Sequence, residues 1–337
     1  MIFSIIGVFL TIAVLVFWSM KRKYAYFKNN GIPFIPTIPV FGNMSKTVFK
    51  KKHFANLTVE HYKNFPDSKY FGIFNFMTPV IVLRDLDLIK SVTIKNFDHF
   101  SDRHSFINEE MDPLLANNLE SLKGEKWREA RNLLSPAFTG SKMKGMYELM
   151  VSCTEKFINH LKKLPEKNRA MLDTKDLFTR FTNDVIATCA FGISIDSLAD
   201  PKNDFYVYGR RATKFEGIQA IKFFLARAFP QVMTFFKIEL ISKNITRFFE
   251  KTISDTIKLR DEKGIRRPDM LQLMLDARGK TSELLKLDVF EMTAQAFIFF
   301  FGGFETTSTQ MSIIAHELAI NPDIQTRLHQ LTIKLWP

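Results

Sequence analysis

Hydrophobic residues recur along most of the chain at every third or fourth position, which is the spacing of amphipathic helices. Strand-like runs occur near the start, where two short apolar stretches within residues 70–83 flank Met77-Thr78-Pro79 and predict a β-hairpin. The pattern therefore predicts a mainly α chain with a small β element. The predicted helices cover residues 86–93, 122–134, 143–164, 175–190, 204–229, 235–262, 268–277 and 286–320, with a last short helix after Asn321.

The chain opens with an uncharged run of nineteen residues, 2–20, which Lys21, Arg22 and Lys23 follow at once. At a rise of about 1.5 Å per residue the run spans roughly 28 Å, close to the hydrocarbon core of a bilayer. A cleaved signal peptide is disfavoured, because no basic residue precedes the run and no small-residue cleavage site ends it. We expect a single-pass transmembrane anchor at residues 1–20, with the basic flank keeping the rest of the chain cytoplasmic.

A basic stop and a proline-rich segment, residues 21–44, follow the anchor. Pro33, Pro36 and Pro39 recur at every third position. Because proline fixes φ and favours extended backbone, the segment is predicted to be a semi-rigid spacer rather than an ordinary loop.

Composition narrows the function classes. The 337 residues are 46% hydrophobic and carry a net charge of +12, which fits a sizeable core and acidic partners such as anionic lipid. Nucleic-acid binding has only this charge in its favour and is not expected. Two cysteines do not make a disulfide framework, so a reducing compartment is favoured. His316-Glu317 begins a zinc-protease motif, but Ile320 stands where its second histidine belongs, so no metal site is predicted.

The long predicted helix contains the run FFFGGFETTST at residues 299–309. A hydroxyl four residues after a glycine, as at Thr306 after Gly302, can bond the glycine carbonyl. Such bonds and the Gly302-Gly303 pair are expected to bend the helix and open a groove for a large flat ligand. Glu305 and Thr306 there suit proton delivery. The alternative to a ligand groove is that the glycine pair only allows close packing and that Glu305 is a solvated acid.

Donors for a carboxylate occur on another predicted helix. Trp127 and Arg131 are four residues apart and share a face, and Arg103 could add a third donor. Taken singly, each of these residues could equally be a surface cation or a core tryptophan.

These motifs resemble the haem-thiolate monooxygenases of the cytochrome P450 family. The sequence Gly302 to Thr307 looks like that family's oxygen-activation motif, and Trp127-x-x-x-Arg131 resembles its C-helix motif. Phrases such as FSDR, LSPAFTGSKM and DVIATCAFG resemble its insect microsomal, xenobiotic-metabolising branch, in particular family 9-like members. The resemblance implies the N-terminal two-thirds of the P450 fold behind a single transmembrane anchor, with a partial P450 domain at residues 45–328.

The resemblance also implies the residues that bind the cofactor. Gly302 and Gly303 would form the groove over the haem, and Arg103, Trp127 and Arg131 would hold its propionates. The axial cysteine ligand of iron is expected beyond the end of this chain, so none of the present residues is expected to bind the metal.

The remaining implied roles concern catalysis and partners. Glu305 and Thr306 would relay protons to dioxygen, and Phe106, Phe297 and Phe301 would line a pocket for lipophilic small-molecule substrates. The expected setting is the endoplasmic reticulum membrane, where the chain would contact lipid and an NADPH-dependent flavoprotein reductase. The basic residues expected to dock that acidic reductase are Lys123, Lys126, Arg128, Lys142 and Lys144.

The sequence also departs from the family pattern. The later Glu-x-x-Arg helix and the cysteine loop do not occur, neither Cys153 nor Cys189 lies in a comparable loop, and residues 329–337 read as an aberrant tail. We therefore expect a monooxygenase by lineage whose present chain binds haem weakly or not at all and is inactive. The alternative is a non-catalytic, membrane-anchored isoform that binds lipophiles or the reductase.

Overall fold

The computed structural model describes residues 17–165, 172–214, 216–282 and 284–335. Contacts divide the chain into two compact units: the chain up to Ser101 with Ile221–Phe235, and Asp102–Ala220 with Phe236–Pro337. The predicted anchor lies almost wholly outside the described residues; those at 17–24 are helical. Among the residues described, no helix combines the length and apolar character that crossing a membrane requires.

Helices form most of the described chain, as predicted. The predicted helices at 86–93 and 175–190 each end in a π-helical turn, Ser91–Lys95 and Ala187–Phe191. In chain order the α-helices are α1 (Tyr26–Asn29), α2 (Ser45–Val48), α3 (Phe54–Lys63), α4 (Leu86–Lys90), α5 (Pro113–Ala116), α6 (Gly124–Leu134), α7 (Gly140–Lys163), α8 (Thr174–Ile186), α9 (Asp204–Thr213), α10 (Ile218–Ala228), α11 (Pro230–Phe235), α12 (Lys243–Lys263), α13 (Met270–Ala277), α14 (Val289–Ile320) and α15 (Pro322–Leu335).

The first unit contains the predicted β-hairpin, which the structure confirms. β1 (Tyr70–Asn75) pairs antiparallel with β2 (Thr78–Leu83). The turn is tighter than predicted, because Thr78 and Pro79 already belong to β2. Phe76 begins the two-residue connection with φ of 55°, a left-handed conformation that suits a short hairpin turn.

Around Pro33 and Ile35 the proline-rich segment lies along β1, and its role as a spacer stays a prediction. Gly72 N donates to Pro33 O at 2.7 Å, and Ile35 N donates to Gly72 O at 3.1 Å. Asn43 adds a third tie, since its side chain accepts a 2.7 Å hydrogen bond from Phe74 N. Prolines lack an N–H, so the residues between them make the donor contacts. The segment is thus packed into the first unit.

Helix boundaries differ most from prediction between residues 204 and 243. The predicted helix 204–229 is interrupted between α9 and α10, where Gly217 adopts φ of 55°. Pro230 then starts α11, consistent with its preference for the first helical turn. The helix predicted from residue 235 begins at Lys243, after the N-cap Ser242. Apolar spacing continues across these breaks, so periodicity alone does not reveal them.

In the second unit, α14 is the central helix. Asp288 caps its start by accepting a 2.8 Å hydrogen bond from Glu291 N. Residues 291–297 are all buried, and the polar members of this stretch, Glu291, Thr293 and Gln295, each have a hydrogen-bond partner there. Further along, Phe300 packs against the ring of Phe249 at 5.6 Å between centroids. From residue 298 onward, one side of α14 becomes accessible.

The last helix is longer than predicted. α15 runs for 14 residues and includes the predicted aberrant tail as far as Leu335. Residues 336–337 lie outside the described part of the chain.

Candidate functional site

The two glycines of α14 have different surroundings. A Cβ placed on Gly302 would meet no atom within 4 Å, and Gly302 is exposed. A Cβ on Gly303 would come within 2.8 Å of Ile186 Cδ1 on α8. Gly302 therefore opens a notch, whereas Gly303 lets two helices approach closely. The groove over a large flat ligand and the haem role of both residues stay predictions.

Thr306 lies one turn after the notch. Its hydroxyl donates to Gly302 O, the bond expected from the spacing. Both residues face the accessible side of α14. Since the hydroxyl proton is engaged, the lone pairs of Thr306 Oγ1 remain to accept a proton or hydrogen bond on that side.

Glu305 lies in an ionic cluster formed by side chains of α8 and α9. Its carboxylate accepts from Lys175 Nζ at 2.6 Å and from Arg210 Nη1 at 3.1 Å. The Lys175 ammonium also contacts Ser308 Oγ at 2.7 Å and Thr309 Oγ1 at 2.8 Å. These contacts pair Glu305 with two cations and direct its carboxylate toward α8 and α9.

Sequence reasoning missed both cations that hold Glu305. Lys175 lies in the first turn of α8 and Arg210 in the last turn of α9. They are separated from Glu305 by 130 and 95 positions. Helical periodicity places a charge on a face but does not identify a partner so distant along the chain, so no local signal could have found them.

The three predicted carboxylate donors lie in one region. The Arg103 guanidinium lies over the Trp127 ring, 5.6 Å from its centroid, which is a cation–π contact. Gly124 N donates to Asp102 Oδ1 at 2.8 Å, tying the segment before Arg103 to the start of α6. Arg131 lies one turn after Trp127; it is exposed and forms no ion pair within the described residues. An anionic ligand could therefore reach Arg131.

The structure corrects the assignment of Lys126 to the reductase-docking surface. Lys126 Nζ lies 2.8 Å from Glu291 Oε1 on α14, and the two side chains are 28% and 12% exposed. Lys126 therefore forms an ion pair between α6 and α14. Of the other predicted docking residues, Arg128 pairs with Glu125 at 3.3 Å, whereas Lys123, Lys142 and Lys144 are exposed.

The phenylalanines predicted to line a substrate pocket differ in burial. Phe297 is fully buried and packs on Phe249, with 5.2 Å between ring centroids, which gives it a core-packing role. Phe106 and Phe301 are half-buried. Substrate contact stays a prediction for all three.

Neither cysteine has the properties of a metal-binding thiolate. Cys153 and Cys189 are buried free thiols. Burial raises the pKa of the Cys153 thiol and raises that of Cys189 to about 12. A thiolate ligand needs the opposite shift. Within the described residues, no group of three or more His, Cys, Asp or Glu side chains is arranged to hold a metal ion.

Comparison with known proteins identifies a family. Residues 32–331 match the family model described as Cytochrome P450. The chain is 40% identical to cytochrome P450 9e2 of Blattella germanica, over 91% of this chain and 62% of that relative. It is 36% identical to probable cytochrome P450 9f2 of Drosophila melanogaster, over 98% and 67%, respectively.

A second branch is also similar. The chain is 35% identical to cytochrome P450 6a8 of Drosophila melanogaster, over 94% of this chain and 64% of that relative. It thus spans about two thirds of the length of these curated relatives. The notch in α14, the donors on α6 and the family match lead to one conclusion: the chain belongs to the cytochrome P450 family.

Proposed function

We propose that this chain contributes part of the haem pocket of a monooxygenase that hydroxylates lipophilic small molecules with O2. The supporting observation is the notch at Gly302, which leaves backbone accessible where α14 leaves its buried first half. Gly302 would lie against the ring, while Arg103, Trp127 and Arg131 would hold the propionates, because guanidinium and indole N–H groups donate to carboxylates. The family uses haem iron, which supplies the oxygen and electron-transfer chemistry when bound.

Within this proposal, Thr306 and Glu305 handle protons. Thr306 Oγ1 offers lone pairs on the accessible side of α14, because its own proton is donated to Gly302 O. Glu305 holds its charge between Lys175 and Arg210. Release from one of these cations would let the Glu305 carboxyl take up a proton from water, turn toward Thr306 and donate that proton to the lone pairs of Thr306 Oγ1.

The role of Thr306 can be tested by removing its hydroxyl alone. In a chain completed with the C-terminal third of a curated relative and supplied with haem and reductase, Thr306→Val keeps the side-chain shape, and we expect less product and more peroxide for each NADPH consumed. Product and peroxide are measured together. An unchanged ratio of product to NADPH would show that the hydroxyl only stabilises the helix.

Haem binding is tested directly by titrating haemin into the full chain and following the Soret band. We expect saturable but weak binding, because neither Cys153 nor Cys189 can act as a thiolate. Gly302→Phe fills the notch and should weaken binding more than tenfold. Ile314→Phe is the matched control, since Ile314 lies on the same helix and is 47% exposed. Equal affinities for wild type and Gly302→Phe would refute the proposal.

We also propose attachment to the endoplasmic reticulum membrane through residues 1–20, supported by the uncharged run and the basic residues after it. Deleting residues 2–20 should move the protein from the microsomal pellet to the supernatant after alkaline extraction. Retention in the pellet would place the membrane contact elsewhere in the chain.

The proposed electron donor is an NADPH-dependent flavoprotein reductase that docks on Lys123, Lys142 and Lys144. These lysines are exposed, so an acidic partner can approach them. Changing all three to glutamate should weaken reductase binding and flatten its salt dependence. An unchanged salt dependence would exclude this surface.

A further inference from the structure

Hydrogen bonds join the loop before α6 to the first turns of α14. Gln295 is 1% exposed; its Oε1 accepts from Leu119 N at 2.9 Å, and its Nε2 donates to Asn117 O at 2.8 Å. The Asn117 side chain accepts from Lys126 Nζ at 3.2 Å. Lys126 in turn pairs with Glu291 at 2.8 Å. One buried amide and one ion pair on α14 therefore fix this loop, residues 117–122, which we call the strap.

The strap covers the same side of α14 that is open at the notch. An α-helix turns by about 100° per residue, so Gln295 and Gly302, seven residues apart, differ by only about 20° in direction. They are separated by roughly 10.5 Å along the axis. The strap thus covers this side of α14 at Gln295, and the same side of the helix is accessible at Gly302. The strap leads directly into α6, which begins at Gly124 and carries Arg131.

Two features make the strap a positioning element. Gln295 satisfies a backbone donor and a backbone acceptor at once, and a shift of the strap would leave the buried Gln295 amide without both partners. Lys126 adds a charged contact with Glu291. The start of α6 is therefore held at one place along α14.

We propose that Gln295 and the Lys126–Glu291 pair are positioning residues, a role that rests on the proposed haem pocket. They hold α6 so that Arg131 reaches the same ligand that lies against Gly302. They touch the strap rather than the ligand, so they act on haem affinity through Arg131.

A double-mutant cycle tests this coupling in the full chain, with haemin as the probe. Gln295→Met removes the amide and keeps the side-chain length, and we expect it to weaken haemin binding about tenfold. In an Arg131→Gln background the same change should have little further effect, because the group that it positions is already gone. Gln310→Met, at an exposed position on the same helix, is the matched control.

Hydrogen exchange of the haem-free chain gives an independent readout. Gln295→Met should speed exchange of Leu119 N, whereas Gln310→Met should not. Lys126→Met should also weaken haemin binding, with recovery in Lys126→Arg, because arginine restores the pairing with Glu291. This second variant keeps the test decisive if Gln295→Met does not fold.

The outcomes separate the two proposals. If the wild-type chain binds no haemin, the proposed function is overturned and the positioning role with it. Haemin binding in which the effects of Gln295→Met and Arg131→Gln simply add, or unchanged exchange at Leu119, overturns the positioning role alone.

Discussion

Replacing each glycine of α14 with alanine in turn should distinguish the open position, Gly302, from the position in contact with α8, Gly303. In a helix interior, alanine is favoured over glycine by about 1 kcal/mol. At Gly302 the new methyl group meets no atom within 4 Å, so the haem-free chain should gain roughly this amount of stability. The same methyl group would project into the space proposed for haem. We therefore expect Gly302→Ala to weaken haemin binding by about tenfold, within the range of overpacking costs.

At Gly303 the balance is different. The new Cβ would come within 2.8 Å of Ile186 Cδ1, the flexible end of a side chain. Overpacking of about 1–3 kcal/mol offsets the gain in helix propensity, so the net change should lie between zero and a loss of about 2 kcal/mol. Ile186→Val removes the contacting methyl group. In that background, Gly303→Ala should become neutral or stabilising.

Urea unfolding of the haem-free variants measures the stabilities, and haemin titration measures the affinities. A loss of stability in haem-free Gly302→Ala would show that the notch is packed and would refute the reasoning. Equal effects of Gly303→Ala with and without Ile186→Val would refute the assigned helix contact.

Three further predictions concern buried groups of the second unit. Arg260→Met should cost about 3–5 kcal/mol of unfolding free energy, because Arg260 and Asp269 form a buried ion pair with side chains 4% and 0% exposed. The control Arg266→Met changes a side chain that is 73% exposed and should cost under about 1 kcal/mol in the same urea unfolding assay. Burial raises the pKa of Asp112 to about 6, so its stabilising contribution is present below about pH 3.9 and lost as pH rises through 6. The stability of wild type relative to Asp112→Asn should therefore fall by about 2 kcal/mol from pH 4 to 7 in urea unfolding, and a flat difference would contradict this. With its thiol pKa raised to about 12, Cys189 should resist iodoacetamide at pH 8 until urea is added, as mass spectrometry can show.

Local sequence signals were sufficient for the helical class, the hairpin and the hydroxyl bond of Thr306. These features depend on residues within a few positions of one another, where spacing alone determines which groups meet. The same holds for Trp127 and Arg131, whose separation of four residues places them on one face of α6. The family resemblance rests on the same short motifs, and the comparisons confirm it.

Long-range contacts decided the rest. The sequence could not distinguish Gly302 from Gly303, because the difference is made by Ile186 on another helix. The partners of Glu305 and Lys126 are equally distant along the chain. A periodic pattern states which face of a helix is apolar, but not which helix will cover it. The sequence by itself therefore determined the elements and the motif, while packing determined which glycine stays open, which acid is paired and which lysine is internal.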